Sequence, residues 1–192
     1  MILTIRQMPS VTMIQRRNKG MISLNAACGL IISELRTVKM KNLIREDGGW
    51  FIYANPKDMK VKNSMPRRSP FVQAPQDIIH NIINWKSELI KIGFGGKDPI
   101  FPKIMSSFNQ LNFLESAITK EEIKSGSQIR DIFKKAFNDA GYEYINPHNF
   151  RHTRARFASK QSPEYLNATR QVLGQKNIDT TPGSYGELSL YE

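Results

Sequence analysis

The sequence predicts a mainly α-helical domain with a small antiparallel β-sheet, which is an α+β fold. Several segments repeat apolar residues at the three- to four-residue spacing of a helix that buries one face. A short aromatic and β-branched run at 50–53 follows a Gly-Gly turn and is typical of a strand. Hydrophobic residues make up 40% and charged residues 23% of the chain, which argues against disorder and indicates one globular domain over residues 1–192.

The front of the chain is predicted to hold two helices. Apolar residues recur at helical spacing over 11–30, and this helix should end near Gly29. A second, short helix should follow with Ser33 as its N-cap.

The small sheet is predicted to come next. Gly48 and Gly49 form a turn before the strand at 50–53, and a basic stretch over 57–68 leads to a closing strand at 71–72.

The rest of the chain is predicted to be mostly helical. An amphipathic helix over 75–92 should stop at Gly93, followed by a loop over 94–107 that is rich in Gly and Pro. Three further helices are predicted at 128–140, 148–159 and 164–173.

The chain is strongly basic, with a formal net charge of +11 and a pI near 9.8. This balance indicates a polyanionic partner, most often nucleic acid, although basic surfaces also serve membranes or solubility. No apolar run reaches the ~18 residues of a spanning helix, and Arg6 near the start argues against a secretory signal, so a cytoplasmic protein is predicted. Cys28 is predicted to be a core residue, and a structural zinc site is not expected, because the chain has one cysteine and three histidines that lack metal-ligand spacing.

Four short segments contain the side chains best suited to chemistry. In chain order they are ACGLIISEL at 27–35, PKDMK at 56–60, PHNFRHT at 147–153, and the stretch 173–186, which contains LGQ, TT and SYG. Short motifs arise by chance, so their common order and spacing carry more weight than any single segment.

Together these segments resemble the catalytic domain of tyrosine recombinases, the phage-integrase class of DNA-breaking and joining enzymes. The resemblance covers roughly residues 11–189. It implies the mainly α fold with a small sheet that this domain adopts, and it implies that the N-terminal core-binding domain usual in the family is absent from this chain. A type IB topoisomerase would share the constellation, but the spelling of the segments is nearer to that of an integrase.

The resemblance implies catalytic roles for five residues. Tyr185 would be the nucleophile, and Arg151 would clamp the non-bridging phosphate oxygens. His148 would assist proton transfer, Lys60 would protonate the leaving oxygen, and Gln175 would hydrogen-bond the phosphate. The phosphotyrosyl link would conserve the bond energy and release a 5′ hydroxyl, so no metal ion, ATP or other small-molecule cofactor is expected.

Two positions depart from the family pattern. Ile31 stands where the family has its first catalytic arginine, and Gln175 stands where it has His or Trp. Loss of one preorganised donor costs about 10²–10³ in rate, so Ile31 predicts an impaired enzyme. Arg36 is a poor substitute, because five residues rotate a helix by ~500° and leave its side chain ~140° away from that of residue 31.

Double-stranded DNA is the predicted partner, and several protomers would associate on it in a synapse. The residues predicted to contact DNA are Lys57, Lys62, Arg67, Arg68, His152 and Arg154. Simpler interpretations stay open: the basic stretch over 57–68 can be a solvated hairpin, His152 a structural residue, and Arg154 plain surface charge.

Two other functions stay open at the level of sequence. The first is a pseudo-integrase that binds DNA but lacks turnover because of Ile31. The second is a basic helical protein that binds RNA or an acidic partner, with the four segments fortuitous, and failure to bind DNA at low salt would favour it.

Overall fold

The structure is a computed structural model that describes residues 1–71, 74–108, 114–160, Thr169 and Leu173. The helices are α1 (Ile2–Gln7), α2 (Met13–Cys28), α3 (Ile32–Thr37), α4 (Gln76–Lys91), α5 (Gly126–Asp139) and α6 (Pro147–Ser159). The strands are β1 (Leu43–Glu46), β2 (Gly49–Ala54), β3 (Arg67–Pro70), β4 (Pro102–Phe108) and β5 (Leu114–Glu122), with short 3-10 turns at Met40–Asn42 and Lys62–Ser64. The fold class is confirmed, and the single-domain organisation stays a prediction.

Helix α2 packs against α4 at the base of the core. The Thr12 hydroxyl accepts a hydrogen bond from the Gln15 backbone N–H, and the Gln15 side chain accepts one from Thr12, which fixes the start of α2. Gly29 ends α2 in the left-handed conformation at φ 64°, as predicted. Gly20 allows α4 to approach closely, because a Cβ there would lie 3.3 Å from the Trp85 Cβ.

The first sheet has the antiparallel order β1-β2-β3. Leu43 lies opposite Ile52, which in turn lies opposite Ser69. The predicted Gly48 turn is present, with φ values of 50° at Asp47 and 76° at Gly48. Strand β1 was not predicted, because only its first residue is buried and its second half is exposed and charged, so it shows no alternation of apolar residues.

The predicted closing strand at 71–72 is wrong in position. The strand that pairs with β2 is β3, which ends at Pro70. Phe71 follows it, and its backbone N–H still donates to the Trp50 carbonyl at 2.9 Å. The prediction was based on the apolar pair at 71–72, whereas the residues of β3 that face the interior are Arg67 and Ser69. Val72 lies outside the described residues.

Strands β4 and β5 form a second antiparallel sheet, which the sequence analysis missed. The predicted loop over 94–107 is therefore wrong from Pro102 onward. A proline is compatible with the first residue of a strand, because the missing N–H is not needed there. Pairing of Ile104 with Ile118 then joins two segments that share no local turn signal.

The predicted helices at 75–92, 128–140 and 148–159 are confirmed as α4, α5 and α6. Helices α5 and α6 are joined by aromatic contacts: the Phe150 ring meets Phe133 edge-on at 5.5 Å and Phe137 at 6.2 Å between ring centroids. The predicted helix at 164–173 lies outside the described residues except for Thr169 and Leu173, which are helical. Phe150 thus anchors the helix that carries the third segment.

Two smaller predictions concern α3 and the cysteine. Ser33 lies inside α3 rather than at its N-cap, because the Glu34 carboxylate accepts a hydrogen bond from the Ile31 backbone N–H and moves the helix start to Ile32. Cys28 is a buried core residue, as predicted, with its Sγ 3.7 Å from the Ser69 carbonyl.

Of the helices that the structure describes, none has the length and apolar character needed to cross a bilayer.

Candidate active site

The start of α6 is fixed by local capping and by a contact with α2. The Asn146 side chain accepts a hydrogen bond from the His148 backbone N–H at 3.0 Å, as an N-cap residue does. Pro147 takes the first helical position, where its missing N–H is not needed. Its carbonyl accepts a hydrogen bond from the buried Asn25 side chain at 3.2 Å. These contacts orient the α6 face that carries His148 and Arg151.

Arg151 is buried, with 1% of its surface exposed. Its Nη1 donates to the Gly29 carbonyl at 2.8 Å, and its Nη2 donates to the Leu173 carbonyl. Gly29 is required here twice, because its φ is positive and a Cβ would lie 3.3 Å from the Arg151 Cγ and 3.0 Å from the Leu173 Cδ2. The guanidinium is therefore held at the turn between α2 and α3.

His148 and His152 lie one turn apart on α6 and stack edge-on, with 4.8 Å between ring centroids. Partial burial, His152, Arg151 and Lys62 lower the pKa of His148, in that order of effect. Partial burial, Arg151 and Lys62 lower the pKa of His152. Both imidazoles are therefore neutral at pH 7 and able to accept a proton.

The two lysines of the basic hairpin have different surroundings. Lys62 is half-buried, and burial, then the charge of Arg151, lowers its pKa. Lys60 is exposed, its backbone N–H donates to the Thr37 hydroxyl at 2.8 Å, and its side chain lines an open groove that Glu122 also borders. The structure thus groups Lys62 with the charged residues around Arg151, and it places Lys60 on the groove beside Glu122.

A buried carboxylate connects this region to α3. Glu34 has no exposed surface, and its Oε1 accepts hydrogen bonds from the Lys62 backbone N–H at 3.0 Å and from the Arg67 Nη2 at 2.6 Å. Its Oε2 accepts one from the Ile31 backbone N–H at 2.9 Å. Arg67 is therefore buried as the counter-ion of Glu34, rather than exposed on the hairpin as its predicted DNA-contacting role assumed, and contact with DNA stays a prediction for it.

The other predicted site residues divide into two groups. Lys57 and Arg68 are exposed, and Arg68 pairs with Glu46 at 2.7 Å and lies over the Phe51 ring. The described residues do not include the side chain of Arg154 or any part of Gln175 and Tyr185.

Sequence reasoning assigned no role to Glu34, although a signal was present. An acidic residue in the apolar run that includes Leu30 and Leu35 has little chance of reaching solvent, and a buried carboxylate requires paired donors. Recognising that requirement would have linked Glu34 to one of the arginines downstream.

We use the name cationic cluster for Lys62, Arg67, Arg151, His148 and His152. With both histidines neutral, the cluster carries three positive charges, and among the residues that the structure describes Glu34 supplies one negative charge against them. Such an excess in a partly desolvated region favours an anion, and forked arginine donors match phosphate oxygens. The arrangement can therefore bind a phosphodiester and offer it neutral imidazoles for proton transfer.

Comparison with known proteins gives matches along most of the chain. The Phage integrase family matches residues 2–189. A protein from Pseudomonas syringae described as "Putative tyrosine recombinase XerC" is 27% identical over 114 residues, which cover 59% of this chain and 22% of the relative.

Two solved structures share the fold. XerH site-specific recombinase bound to palindromic difH substrate, in a post-cleavage complex, superposes with a TM-score of 0.69 at 17% identity, over 97% of this chain and 46% of that one. XerH bound to difH substrate in a pre-cleavage complex gives a TM-score of 0.66 at 16% identity, over 97% of this chain and 48% of that one. The chain spans less than half the length of the relatives it matches.

Proposed function

The chain belongs to the phage integrase family, and on that premise we propose that it cleaves and rejoins double-stranded DNA at specific sites through a transient phosphotyrosyl link. The reaction would integrate or excise a mobile element. The observation that carries the proposal is the cationic cluster, in which Arg151 is anchored at the α2–α3 turn, His148 and His152 stack on the same helix, and Glu34 holds Lys62 and Arg67. A phosphodiester is the ligand that best matches these groups.

Each group has a defined task in the proposed reaction. The Tyr185 phenolic oxygen forms a bond to phosphorus, and the bond between phosphorus and the 5′ oxygen breaks. His148 takes up the phenolic proton, and a lysine ammonium gives a proton to the 5′ oxygen, which leaves as a hydroxyl. Arg151 holds the non-bridging oxygens as negative charge grows on them. Rejoining is the same exchange in reverse, so the scheme needs no metal ion, ATP or other cofactor.

We assign the proton donor to Lys62 in preference to Lys60. A general acid must lose its proton readily near neutral pH, and a lowered pKa has that effect. The charge of Arg151, which would bind the same phosphate, is one cause of that lowering. Lys60 would instead contact the DNA backbone from its exposed position.

The remaining basic residues would hold the duplex through its phosphates. Lys57 and Arg68 are exposed, and Arg154 and Gln175 keep their predicted roles as DNA and phosphate contacts. Such contacts make affinity fall as salt rises, with little dependence on sequence. Recombination requires two DNA sites, so several protomers would self-associate in a synapse, and the protein would act in the cytoplasm at the nucleoid.

One observation favours a second candidate, a pseudo-integrase that binds DNA without turnover. Ile31 cannot donate to a phosphate oxygen, and the loss of one such donor costs about 10²–10³ in rate. The two candidates differ in whether a covalent intermediate forms.

A suicide substrate distinguishes them. A duplex nicked next to the cleavage site loses the short 5′-hydroxyl fragment by diffusion, which traps any phosphotyrosyl adduct as a slow band on a denaturing gel. Nicked DNA duplexes from a library of candidate sites serve as the probe, and the Tyr185→Phe variant serves as the control. An adduct that is absent in Tyr185→Phe supports the enzyme; DNA binding with no adduct on any site supports the pseudo-integrase, and no binding at low salt overturns both.

A further inference from the structure

The active site needs more positive charge at the phosphate than Arg151 alone supplies. In-line displacement increases the negative charge on two non-bridging oxygens, and one guanidinium fork is already fixed by the carbonyls of Gly29 and Leu173. Ile31, which lies on the same turn, contributes only an apolar side chain. Arg36 is turned away, since its Nε donates to the Ile123 carbonyl at 3.0 Å, as the helix rotation predicts.

A second guanidinium nevertheless lies beside residue 31. The Glu34 carboxylate accepts the Ile31 backbone N–H on its Oε2 at 2.9 Å and the Arg67 Nη2 on its Oε1 at 2.6 Å. One carboxylate group therefore holds both the backbone of residue 31 and the end of the Arg67 side chain. Arg67 reaches this point from β3, across the sheet edge, rather than from α3.

The backbone positions that anchor the two guanidinium groups are also close to each other. Arg151 is bound to the Gly29 carbonyl, and Glu34, the partner of Arg67, is bound to the Ile31 N–H. Two residues of chain span at most ~7 Å, so the two anchoring points are near neighbours. The charges of Arg151 and Arg67 both act on Lys62, which agrees with this arrangement.

We propose that Arg67 supplies the phosphate-binding guanidinium that residue 31 lacks, with Glu34 positioning it beside Arg151. This inference rests on the proposed function and names the residue that would make it efficient despite Ile31. A purely structural Arg67–Glu34 pair would neutralise itself and leave the reaction rate unchanged. Within the part of the chain that the structure describes, three cations, Lys62, Arg67 and Arg151, are grouped with the carboxylate of Glu34, and this grouping favours the catalytic role.

The test measures adduct formation in a single turnover at saturating nicked DNA. Arg67→Met should slow it about 10²–10³-fold. Arg16→Met is the matched control, because Arg16 forms a two-point ion pair with Glu88 at 2.8 and 2.6 Å in the first turn of α2, at the opposite end of that helix from Gly29. The double variant Ile31→Arg/Arg67→Met moves the guanidinium to residue 31 and should recover the rate to within about tenfold of the unsubstituted chain.

A second measurement separates phosphate contact from folding. A substrate with an uncharged methylphosphonate at the cleavage site needs less neutralisation, so the defect of Arg67→Met should shrink at least about tenfold on it. Melting curves identify variants that fail to fold. If Arg67→Met is one of them, Arg67→Lys replaces it, because lysine keeps a cation beside Glu34 but lacks the guanidinium fork. The same loss of rate, and the same smaller defect on methylphosphonate, is then expected of Arg67→Lys.

Four outcomes overturn the inference: a folded Arg67→Met with an unchanged rate, equal losses in Arg67→Met and Arg16→Met, an undiminished defect on methylphosphonate, or a gain above about 10²-fold from Ile31→Arg alone. Absence of any adduct from the unsubstituted chain is a different result, because it overturns the proposed function itself and the inference with it.

Discussion

Replacing Glu34 with Gln removes one charge from the interior and keeps the size of the side chain. The carboxylate has no exposed surface and accepts from the Ile31 and Lys62 backbone N–H groups and from Arg67. One end of the Gln amide is a donor, so at least one of these buried donors loses its acceptor, at about 1–3 kcal/mol. Arg67 also loses its counter-ion, which costs about 3–5 kcal/mol for a buried pair. Because the two losses overlap, we expect about 3–5 kcal/mol in total.

Thermal unfolding measures this loss. A chain of this length shifts by ~2–4 °C per kcal/mol, so Glu34→Gln should lower the melting temperature by roughly 6–20 °C. Glu88→Gln is the matched control, because Glu88 pairs with Arg16 where both side chains are partly exposed, at 24% and 36%, and its pair is worth about 1 kcal/mol or less. A Glu34→Gln variant that melts within about 3 °C of the unsubstituted chain, or no lower than Glu88→Gln, would refute the reasoning.

Four further predictions concern the site. Lys62→Met should slow adduct formation about 10²–10⁴-fold and Lys60→Met less than about tenfold; the opposite order in the suicide-substrate assay would restore Lys60 as the proton donor. The pKa of His148 is lowered, so its neutral form persists below the ordinary value of about 6.5, and the acidic limb of the rate profile should lie below that pH and vanish in His148→Asn. Because the pKa of His148 is lower in the folded chain than in the unfolded chain, the unfolded chain takes up this proton at a higher pH. The free energy of unfolding, measured in urea, should therefore fall as the pH drops below about 6.5, and a rise in that range would contradict the prediction. Gly29→Ala should cost about 1–3 kcal/mol in urea unfolding, because a Cβ at φ 64° would crowd Arg151, and an unchanged midpoint would show that the turn tolerates it.

Long periodic segments were predictable because their own residues determine them. The helix ending at Gly29 and the amphipathic helix before Gly93 carry both an apolar face and a terminating glycine in the local sequence. The pairing of Ile104 with Ile118 could not be read in this way, because it depends on the rest of the fold rather than on a turn signal. Strand β1 was missed for a different reason: its turn at Gly48 was predicted, but its second half is exposed and charged and shows no alternation of apolar residues.

The sequence predicted which residue types form the candidate site, but it predicted less well which of these residues contact one another. The order of the four segments identified His148 and Arg151, and the structure brings both next to the α2–α3 turn. The segment order could not indicate that Lys62 is grouped with them, because that grouping depends on a hydrogen bond from the Lys62 backbone to Glu34. The burial of Arg67 follows from the same carboxylate, which no local pattern assigns to an arginine over thirty residues away.

The proposed reaction is defined by the atom that becomes joined to DNA. Mass spectrometry of the adduct trapped on nicked DNA identifies that atom, after digestion of both the protein and the nucleic acid. We predict one modified peptide, carrying a nucleotide 3′-phosphate on Tyr185, whose yield falls at least about 10²-fold when Arg151 is replaced by Met. A nucleotide on any other residue, or DNA that binds at saturation and never becomes covalently attached, would contradict the account.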